Sequence, residues 1–194
     1  MRYSDTHKEE TRKTIVKAAA MAVRAKGPDG VGVAEIMAQA GLTHGGFYAH
    51  FPNKESLVAA AVDEAFGQSG RRFQKITAGM PAADALSTFV DSYVSPEHRA
   101  HPARGCPLAT LSSDLPRQGR VVREAYERGV RGLIGRIAGW LPEDLADRDG
   151  LAASLAAEMA GMVALSRAIA DDVEAERLLA GARARIKNRM GIVQ

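Results

Sequence analysis

Apolar residues recur at the three- and four-residue spacing of helices along most of the chain, and short breaker clusters separate the segments. The first segment is predicted to be a helix that begins with Thr6 as its N-cap, with Glu9 three residues later at capping-box spacing. The run Gly27-Pro28-Asp29-Gly30 is predicted to end it. Its expected buried stripe consists of Ile15, Ala18, Ala19, Ala22 and Val23.

Residues 32–54 predict two short helices on either side of a tight turn, which is the shape of a DNA-reading motif. The first helix covers residues 33–40 and stops at Gly41, because glycine can adopt the left-handed conformation that ends a helix. Thr43 is predicted to cap the second helix, over residues 44–50. Asn53 is predicted to cap a longer helix that reaches about residue 76 and enters a second bundle. The expected core of the first bundle is Ile36, Leu42, Phe47, Phe51 and Leu57.

The remaining chain predicts a second helical bundle. Helices are expected over residues 82–95, 108–115, 119–140, 148–170 and 173–189. Residues 95–107 are dense in Pro, His and Arg, so this segment is predicted to be a loop without helix. A composition rich in Ala, with 5% aromatic residues, favours helices throughout. The predicted fold class is therefore all-α.

The net charge of +3 does not by itself indicate a nucleic-acid partner. Residues 1–70 hold eight basic and eight acidic residues, so the excess lies in the rest of the chain. Residues 1–26, however, hold seven basic and three acidic residues. A phosphate backbone would attract this local excess at short range.

Several protein classes are disfavoured by the sequence. The single cysteine, Cys106, excludes an internal disulfide. The apolar run over residues 151–170 contains Glu158 and Arg167, so no membrane span is expected, and the charged N-terminus differs from a signal peptide. Gly-x-Ser-x-Gly, phosphate-loop and His-Glu-x-x-His motifs are absent from the sequence. We therefore expect a cytoplasmic protein that is not an enzyme and uses no metal or other cofactor.

The run from Gly41 to Leu57, GLTHGGFYAHFPNKESL, resembles the recognition-helix signature of the TetR family of transcriptional regulators, TetR/AcrR type. It combines a turn glycine, a hydroxyl cap, an aromatic pair ending in Tyr48 and a Lys-Glu-x-Leu start to the next helix. The resemblance implies a helix-turn-helix DNA-binding domain over residues 1–66, a three-helix bundle, and a helical ligand-binding and dimerisation domain over residues 67–194. It also implies a homodimeric regulator, typically a repressor, that a small-molecule effector releases from a palindromic operator on double-stranded DNA.

The predicted helix ends and the resemblance together indicate the residues that contact DNA. Tyr48 should point away from the core residue Phe47, so its phenol is a candidate for phosphate binding, with packing on the bundle as the alternative. Lys54 lies at a helix N-terminus, where a cation is favoured only beside an anion. His44 is the candidate for base reading, and a solvated histidine is the alternative. The full expected set is Thr43, His44, Gly45, Gly46, Tyr48, His50 and Lys54.

Four of these residues carry a weaker indication. Gly45 and Gly46 have no side chain with which to read bases and can only let the backbone approach the groove. Gly46 departs from the family pattern, which usually has a hydroxyl or longer residue there, so base readout should be sparse. His50 could contact a phosphate or could pack against the bundle, and Thr43 could act as a cap alone.

The second domain is expected to contain both a dimer interface and a ligand pocket. Residues 151–170 form a helix that is apolar nearly all round and needs cover on two sides. The resemblance implies that another subunit supplies the second cover, and a central helix inside a monomer is the alternative. Candidate pocket residues, which also fit an ordinary helical interior, are Phe89, Tyr93, Cys106, Leu108, Leu111, Tyr126, Trp140, Met159 and Met162.

Cys106 is also a candidate for regulation by oxidation or alkylation. It stands at a predicted helix start, where backbone amides would lower the thiol pKa, and Arg99 and Arg104 are near in sequence. The alternative is a small apolar residue packed under a loop. A different alternative for the whole chain is a helical interaction module that does not bind DNA.

Overall fold

The structure is a computed structural model that describes residues 5–191, and all regular secondary structure in that range is helical. Nine α-helices are described: α1 (Asp5–Lys26), α2 (Val33–Gln39), α3 (Lys54–Thr77), α4 (Ala82–Tyr93), α5 (Pro96–Ala100), α6 (Pro107–Leu111), α7 (Arg120–Ala138), α8 (Arg148–Ala168) and α9 (Asp172–Arg189). Short 3-10 helices cover His44–Ala49, Pro102–Arg104 and Leu115–Arg117. The all-α prediction is confirmed.

The N-terminal bundle packs α1, α2 and the 3-10 helix His44–Ala49 against the first half of α3. Ile15, Ile36 and Leu57 are completely buried in its core. The predicted core residues Phe47 and Phe51 are buried as well, whereas Leu42 is only partly buried at the edge. The hydrophobic spacing therefore predicted the inner faces of this bundle well.

The helix ends in this bundle differ from the sequence prediction in two places. Thr6 lies within α1 and is not its N-cap. The segment after Thr43 is a 3-10 helix, and the Thr43 side chain makes no capping hydrogen bond. Gly45 and Gly46 each cost an α-helix about 1 kcal/mol relative to Ala, which favours this shorter and tighter turn over a regular helix.

Helix α3 belongs to both bundles, as its predicted length implied. Its first half contributes Leu57 and Ala65 to the N-terminal core, and Phe73 belongs to the second core. The Asn53 side chain accepts a hydrogen bond from the Ser56 amide at 2.8 Å, which confirms the predicted cap. The two bundles are thus connected through one continuous helix.

The second bundle packs the end of α3 with α4, α7, α8 and α9. An aromatic cluster lies at its centre, where Phe73 contacts the rings of Phe89 and Tyr93, and Phe89 contacts Trp140. By length and composition α8 would be apolar enough to cross a membrane. Two of its large apolar side chains, Leu155 and Met159, are instead fully buried in this core.

The prediction that residues 95–107 contain no helix is wrong. This segment forms α5 and the 3-10 helix Pro102–Arg104. The Ser95 hydroxyl accepts a hydrogen bond from the His98 amide at 3.1 Å, and Pro96 occupies the first turn, where its missing N–H costs nothing. The predicted helix over 108–115 is correspondingly shorter and ends at Leu111.

His98 fastens this segment to the core in one protonation state. Its Nε2 accepts a hydrogen bond from the Cys106 amide at 2.9 Å, so the ring proton must lie on Nδ1, which donates to the Tyr93 carbonyl at 2.6 Å. Burial lowers the pKa of His98 from 6.5 to about 4, with Arg167 and Arg72 adding to the effect and the Tyr93 hydrogen bond opposing it. The neutral ring is therefore part of the folded state.

We expect the free energy of unfolding to fall below neutral pH because of His98. The pKa of His98 is 6.5 in the unfolded chain and about 4 in the folded chain, so between these values the unfolded chain binds the extra proton. The stability that neutral His98 contributes is therefore complete above pH 6.5 and is lost as the pH falls to 4. The loss should amount to about 3 kcal/mol. Urea unfolding between pH 7.5 and 4.5 measures it. A His98→Gln variant should show a flatter pH profile, whereas His101→Gln, at the exposed His101, should keep the wild-type slope; equal slopes for all three proteins would contradict this assignment.

Candidate nucleic-acid interface and regulatory cavity

The turn between α2 and the 3-10 helix is set by Gly41. Its φ of 73° is left-handed, a conformation that a residue with a Cβ adopts at a cost. The Leu42 amide then donates to the Met37 carbonyl at 2.9 Å, which closes the end of α2. This turn holds the following helix on the outside of the bundle.

Two buried rings fix the 3-10 helix His44–Ala49, hereafter the recognition helix. The rings of Phe47 and Phe51 stack with centroids 5.9 Å apart, and the Arg12 guanidinium lies 4.7 Å from the centre of the Phe51 ring. Phe47 is 1% exposed, while the neighbouring Tyr48 is 70% exposed. The core residues therefore orient Tyr48 outward without using its phenol.

The predicted contact residues differ in their exposure. Four of them are exposed: Thr43, His44, Gly45 and Tyr48. The other three, Gly46, His50 and Lys54, are half-buried. Within residues 5–191 the Lys54 ammonium forms no salt bridge, although it lies in the first turn of α3.

His50 differs from its neighbours because one of its ring atoms is enclosed. Its Nδ1 is buried without a hydrogen-bond partner among residues 5–191. Its pKa is lowered, first by burial and then by the positive charges of Lys8 and Arg12. The structure therefore disfavours a charged His50 in the free protein.

A groove of about 400 Å³ runs between α1 and the recognition helix. Lys8 and Thr11 lie on its α1 side, and Ala49 and His50 lie on the opposite side. The individual residue Lys8 was missed by the sequence reasoning, although the excess of basic residues in positions 1–26 was a signal for it. Lys8 adds a positive charge beside the recognition helix.

The second bundle contains a cavity of about 310 Å³ between α3 and α7. Its walls are Phe66, Gly67, Ser69, Gly70, Arg71, Phe73, Gln74, Cys106, Gly129, Gly132, Leu133 and Arg136. Of the predicted pocket residues, only Cys106 lines this cavity. Phe89, Tyr93, Leu111 and Met159 are completely buried in packed core, and Leu108, Tyr126, Trp140 and Met162 are partly buried at its edges.

The expectation that the Cys106 thiol has a lowered pKa is wrong. Cys106 is 1% exposed, and burial raises its pKa against the opposing effect of the nearby Tyr93 and Ser69 hydroxyls. Arg99 does not face the thiol, because its guanidinium binds the carbonyls of Ser166 and Ile169 and the Asp172 carboxylate. A protonated, enclosed thiol is a poor nucleophile.

Helix α8 presents a second, uncharged face to solvent. Its exposed residues from position 151 onward are Ser154, Ala157, Gly161, Ala164, Leu165 and Ala168. A groove of about 360 Å³ follows this face beside α6, and Leu165 is 48% exposed. Among residues 5–191, no group of three or more His, Cys, Asp or Glu side chains is placed to hold a metal ion.

Comparison with known proteins agrees with this architecture. The family model for bacterial regulatory proteins of the tetR family matches residues 15–61. A TetR transcriptional regulator from Chloroflexus aurantiacus is 26% identical, with a TM-score of 0.77 over 94% of this chain and 96% of that one. No curated protein sequence matches the chain.

Two further solved structures share the fold at lower identity. The reduced form of E. coli NemR is 18% identical, with a TM-score of 0.78 over 92% of this chain and 96% of that one. A TetR transcriptional regulator from Legionella pneumophila is also 18% identical, with a TM-score of 0.77 over 98% of this chain and all of the other. The matched N-terminal segment contains α2, the turn at Gly41 and the recognition helix. The N-terminal segment over residues 15–61 therefore matches the tetR family of bacterial regulatory proteins, and the chain as a whole has the fold of TetR transcriptional regulators.

Proposed function

We propose that the chain is a homodimeric repressor that binds a palindromic operator through residues 1–66 and is released by a small-molecule effector bound within residues 67–194. The observation that carries the proposal is the orientation of the recognition helix. Phe47 and Phe51 hold it from inside, so Tyr48 and His44 stand outward and are free to contact DNA. Such a regulator would act in the cytoplasm, where bacterial DNA lies.

The exposed residues divide into phosphate and base contacts. We assign phosphate contacts to Thr43, Tyr48 and Lys54, because a hydroxyl, a phenol and an unpaired ammonium are all donors to anionic oxygen. The free amides at the start of α3 favour the same anion as Lys54. The surface also includes Lys8. Because most of these contacts would be to phosphates, the affinity for DNA should fall as the salt concentration rises.

Base reading is assigned mainly to His44. Gly45 and Gly46 let the backbone approach the groove floor, and a Cβ on Gly45 would meet nothing within 4 Å. His50, with its lowered pKa, is assigned a neutral contact at the edge of the interface. With one base-reading side chain per subunit, DNA shape should contribute to sequence preference.

Substitutions should separate these two kinds of contact. Lys54→Ala is expected to weaken binding to all DNA sequences by a similar factor and to reduce the salt slope by about 2, because the dimer loses one phosphate contact per subunit. His44→Ala is expected to change the preferred sequence more than the overall affinity. Binding selection from a randomised DNA pool, followed by titrations at several salt concentrations, measures both effects. An unchanged preference and affinity for His44→Ala would show that His44 does not read bases.

The proposed dimer uses the exposed face of α8. The exposed residues of this face are uncharged over about four turns, with the half-buried Glu158, paired with Arg189, at one edge. The α8–α9 helix pair of a second copy would cover the face in a two-fold four-helix arrangement. Such a dimer would present two recognition helices to half-sites separated by one or more DNA turns.

We expect Gly161→Arg to convert the dimer into a monomer. A Cβ at Gly161 meets nothing within 4 Å among the described residues 5–191, so the arginine should leave the fold intact while burying a charge in the proposed interface. Gly135→Arg on α7 is the matched control, since Gly135 is equally open and lies outside that face. Sedimentation velocity of both variants measures the result. If Gly161→Arg stayed dimeric, α8 would not be the interface.

A further inference from the structure

Glycines line the cavity between α3 and α7 on both helices, and the side chains that they lack leave the space open. A Cβ on Gly129 would overlap the Phe66 ring, so this glycine permits the close approach of the two helices. One turn later, a Cβ on Gly132 would meet nothing within 4 Å. Gly67 and Gly70 line the α3 side. The same helix pair is therefore tightly packed at one level and separated at the next.

The charged groups at this cavity are exclusively positive. Among residues 5–191, the lining includes Arg71 and Arg136 but no aspartate or glutamate. Arg71 is already paired with Glu64 at 3.0 Å. Arg136 has no hydrogen bond or salt bridge among residues 5–191, and one of its Nη atoms lies 3.4 Å from the Cβ position of Gly70 on the opposite helix. Its half-buried guanidinium thus extends across the cleft with its donors unused.

A second unused polar group lies deeper in the same cavity. The Ser69 hydroxyl is buried beside the Cys106 thiol, and Ser69 is 4% exposed. This hydroxyl has no hydrogen-bond partner of ordinary geometry among residues 5–191. A buried polar group without a partner is unfavourable, so a ligand oxygen that approaches it would be stabilised.

Apart from the Gln74 amide, the remaining walls are largely apolar. Phe66, Phe73 and Leu133 line the cavity together with the bare glycine backbone. A volume of about 310 Å³ lies at the lower end of the range for small-molecule sites and fits a compact ligand. One charged end and an apolar body are the properties that this lining selects.

We propose that the cavity binds a small organic anion, a compact aromatic carboxylate, with its carboxylate on the Arg136 guanidinium and its ring between Phe66, Phe73 and Leu133. A planar guanidinium can bind a carboxylate through two parallel hydrogen bonds, which favours an anion over a neutral molecule of the same shape. Ligand binding here does not depend on the proposed operator binding. The role of the ligand as an effector does rest on the proposed function.

The first test compares three probes of nearly equal shape on the full chain without DNA. Benzoate, benzamide and benzamidine differ in charge but share one ring, and their affinities are measured by calorimetry at millimolar concentrations. Benzoate should bind about tenfold or more tightly than benzamide, and benzamidine should not bind detectably. No binding of benzoate, or equal binding of benzoate and benzamide, would overturn the proposal.

Variants locate the binding. Arg136→Gln should weaken benzoate about tenfold and change benzamide less than twofold. Gly132→Leu should abolish binding of both, because its side chain enters the cavity, whereas Gly135→Leu on the same helix should bind like the wild type. Thermal unfolding is measured for each variant to check that it is folded. Wild-type affinity in folded Gly132→Leu would place the ligand elsewhere.

A final arm separates this site from the regulatory role. Benzoate is added to the protein bound to its operator, and retention of the DNA is measured. Calorimetric binding with unchanged DNA retention would leave the anion site standing and contradict effector release by this ligand class. Loss of retention that Gly132→Leu prevents would support both.

Discussion

Gly129→Ala is expected to lower the free energy of unfolding by about 1–3 kcal/mol, although alanine is normally the better helix residue. The added Cβ would overlap carbons of the Phe66 ring, and that ring also contacts Tyr126 with centroids 5.6 Å apart. Helices α3 and α7 would therefore have to separate, or Phe66 would have to leave its position. Urea unfolding at neutral pH measures the loss.

Two glycines of the same helix supply matched controls. Gly132→Ala and Gly135→Ala place a Cβ where nothing lies within 4 Å, so each should raise the free energy of unfolding by up to about 1 kcal/mol. The three substitutions are chemically identical and differ only in what the new methyl group meets. Equal effects at the three positions would contradict the close packing at Phe66.

Arg24→Met is expected to lower the free energy of unfolding by about 2–4 kcal/mol, since three buried or part-buried acceptors lose this donor. Arg24 lies near the end of α1 and is 3% exposed. Its guanidinium donates to the Gly105 carbonyl at 3.1 Å and to the Gln68 side-chain oxygen at 2.6 Å, and its Nε donates to the Ala20 carbonyl. Burial, with a smaller effect of Arg72, lowers its pKa to about 10, so it stays charged at neutral pH.

These hydrogen bonds connect the DNA-binding domain to the cavity wall. Gly105 precedes Cys106, which lines the cavity, and Gln68 lies one residue before Ser69 on α3. A shift of the cavity wall would therefore displace α1, whose Arg12 packs on Phe51, two residues after the recognition helix. Arg24 thus offers a direct mechanical connection between the proposed effector site and the proposed DNA surface.

A double-mutant cycle tests this connection. Arg24→Met and Gln68→Leu, alone and together, should show a coupling energy of about 0.5–3 kcal/mol in urea unfolding. Lys17→Met, which removes an exposed charge from the same helix, should change stability by less than about 0.5 kcal/mol. Additive effects of Arg24→Met and Gln68→Leu would mean that their hydrogen bond contributes little.

The sequence predicted those features that depend on local spacing. The turn at Gly41, the buried Phe47 beside an exposed Tyr48, the Asn53 cap and the shared helix α3 all follow from periodicity and capping residues. The 3-10 form of the recognition helix was not predicted. Gly45 and Gly46 have a low α-helix propensity, but whether a segment forms an α-helix or a 3-10 helix also depends on how it packs in the fold. Residues 95–107 contain a Ser-Pro helix start, but their Pro, His and Arg content led to the prediction of a loop.

The cavity could not be predicted from residue type. Phe89 and Phe73 are equally apolar in the sequence, yet only Phe73 reaches the cavity, because the gap depends on where Gly129 and Gly132 meet α3. The direction of the Cys106 pKa shift was missed for a similar reason. Sequence neighbours such as Arg99 turn toward α8, and burial of the thiol, which raises its pKa, is a tertiary effect.

Operator binding tests the central claim most directly. The full chain is titrated against DNA from upstream of its own gene, with excess nonspecific competitor, at salt concentrations from 50 to 300 mM, which span about a sixfold range. We predict specific retention by a dimer, an affinity that falls linearly on a double-logarithmic salt plot, and a lower affinity for Lys54→Ala. Absence of specific retention at every salt concentration would contradict the account and favour a helical interaction module that does not bind DNA.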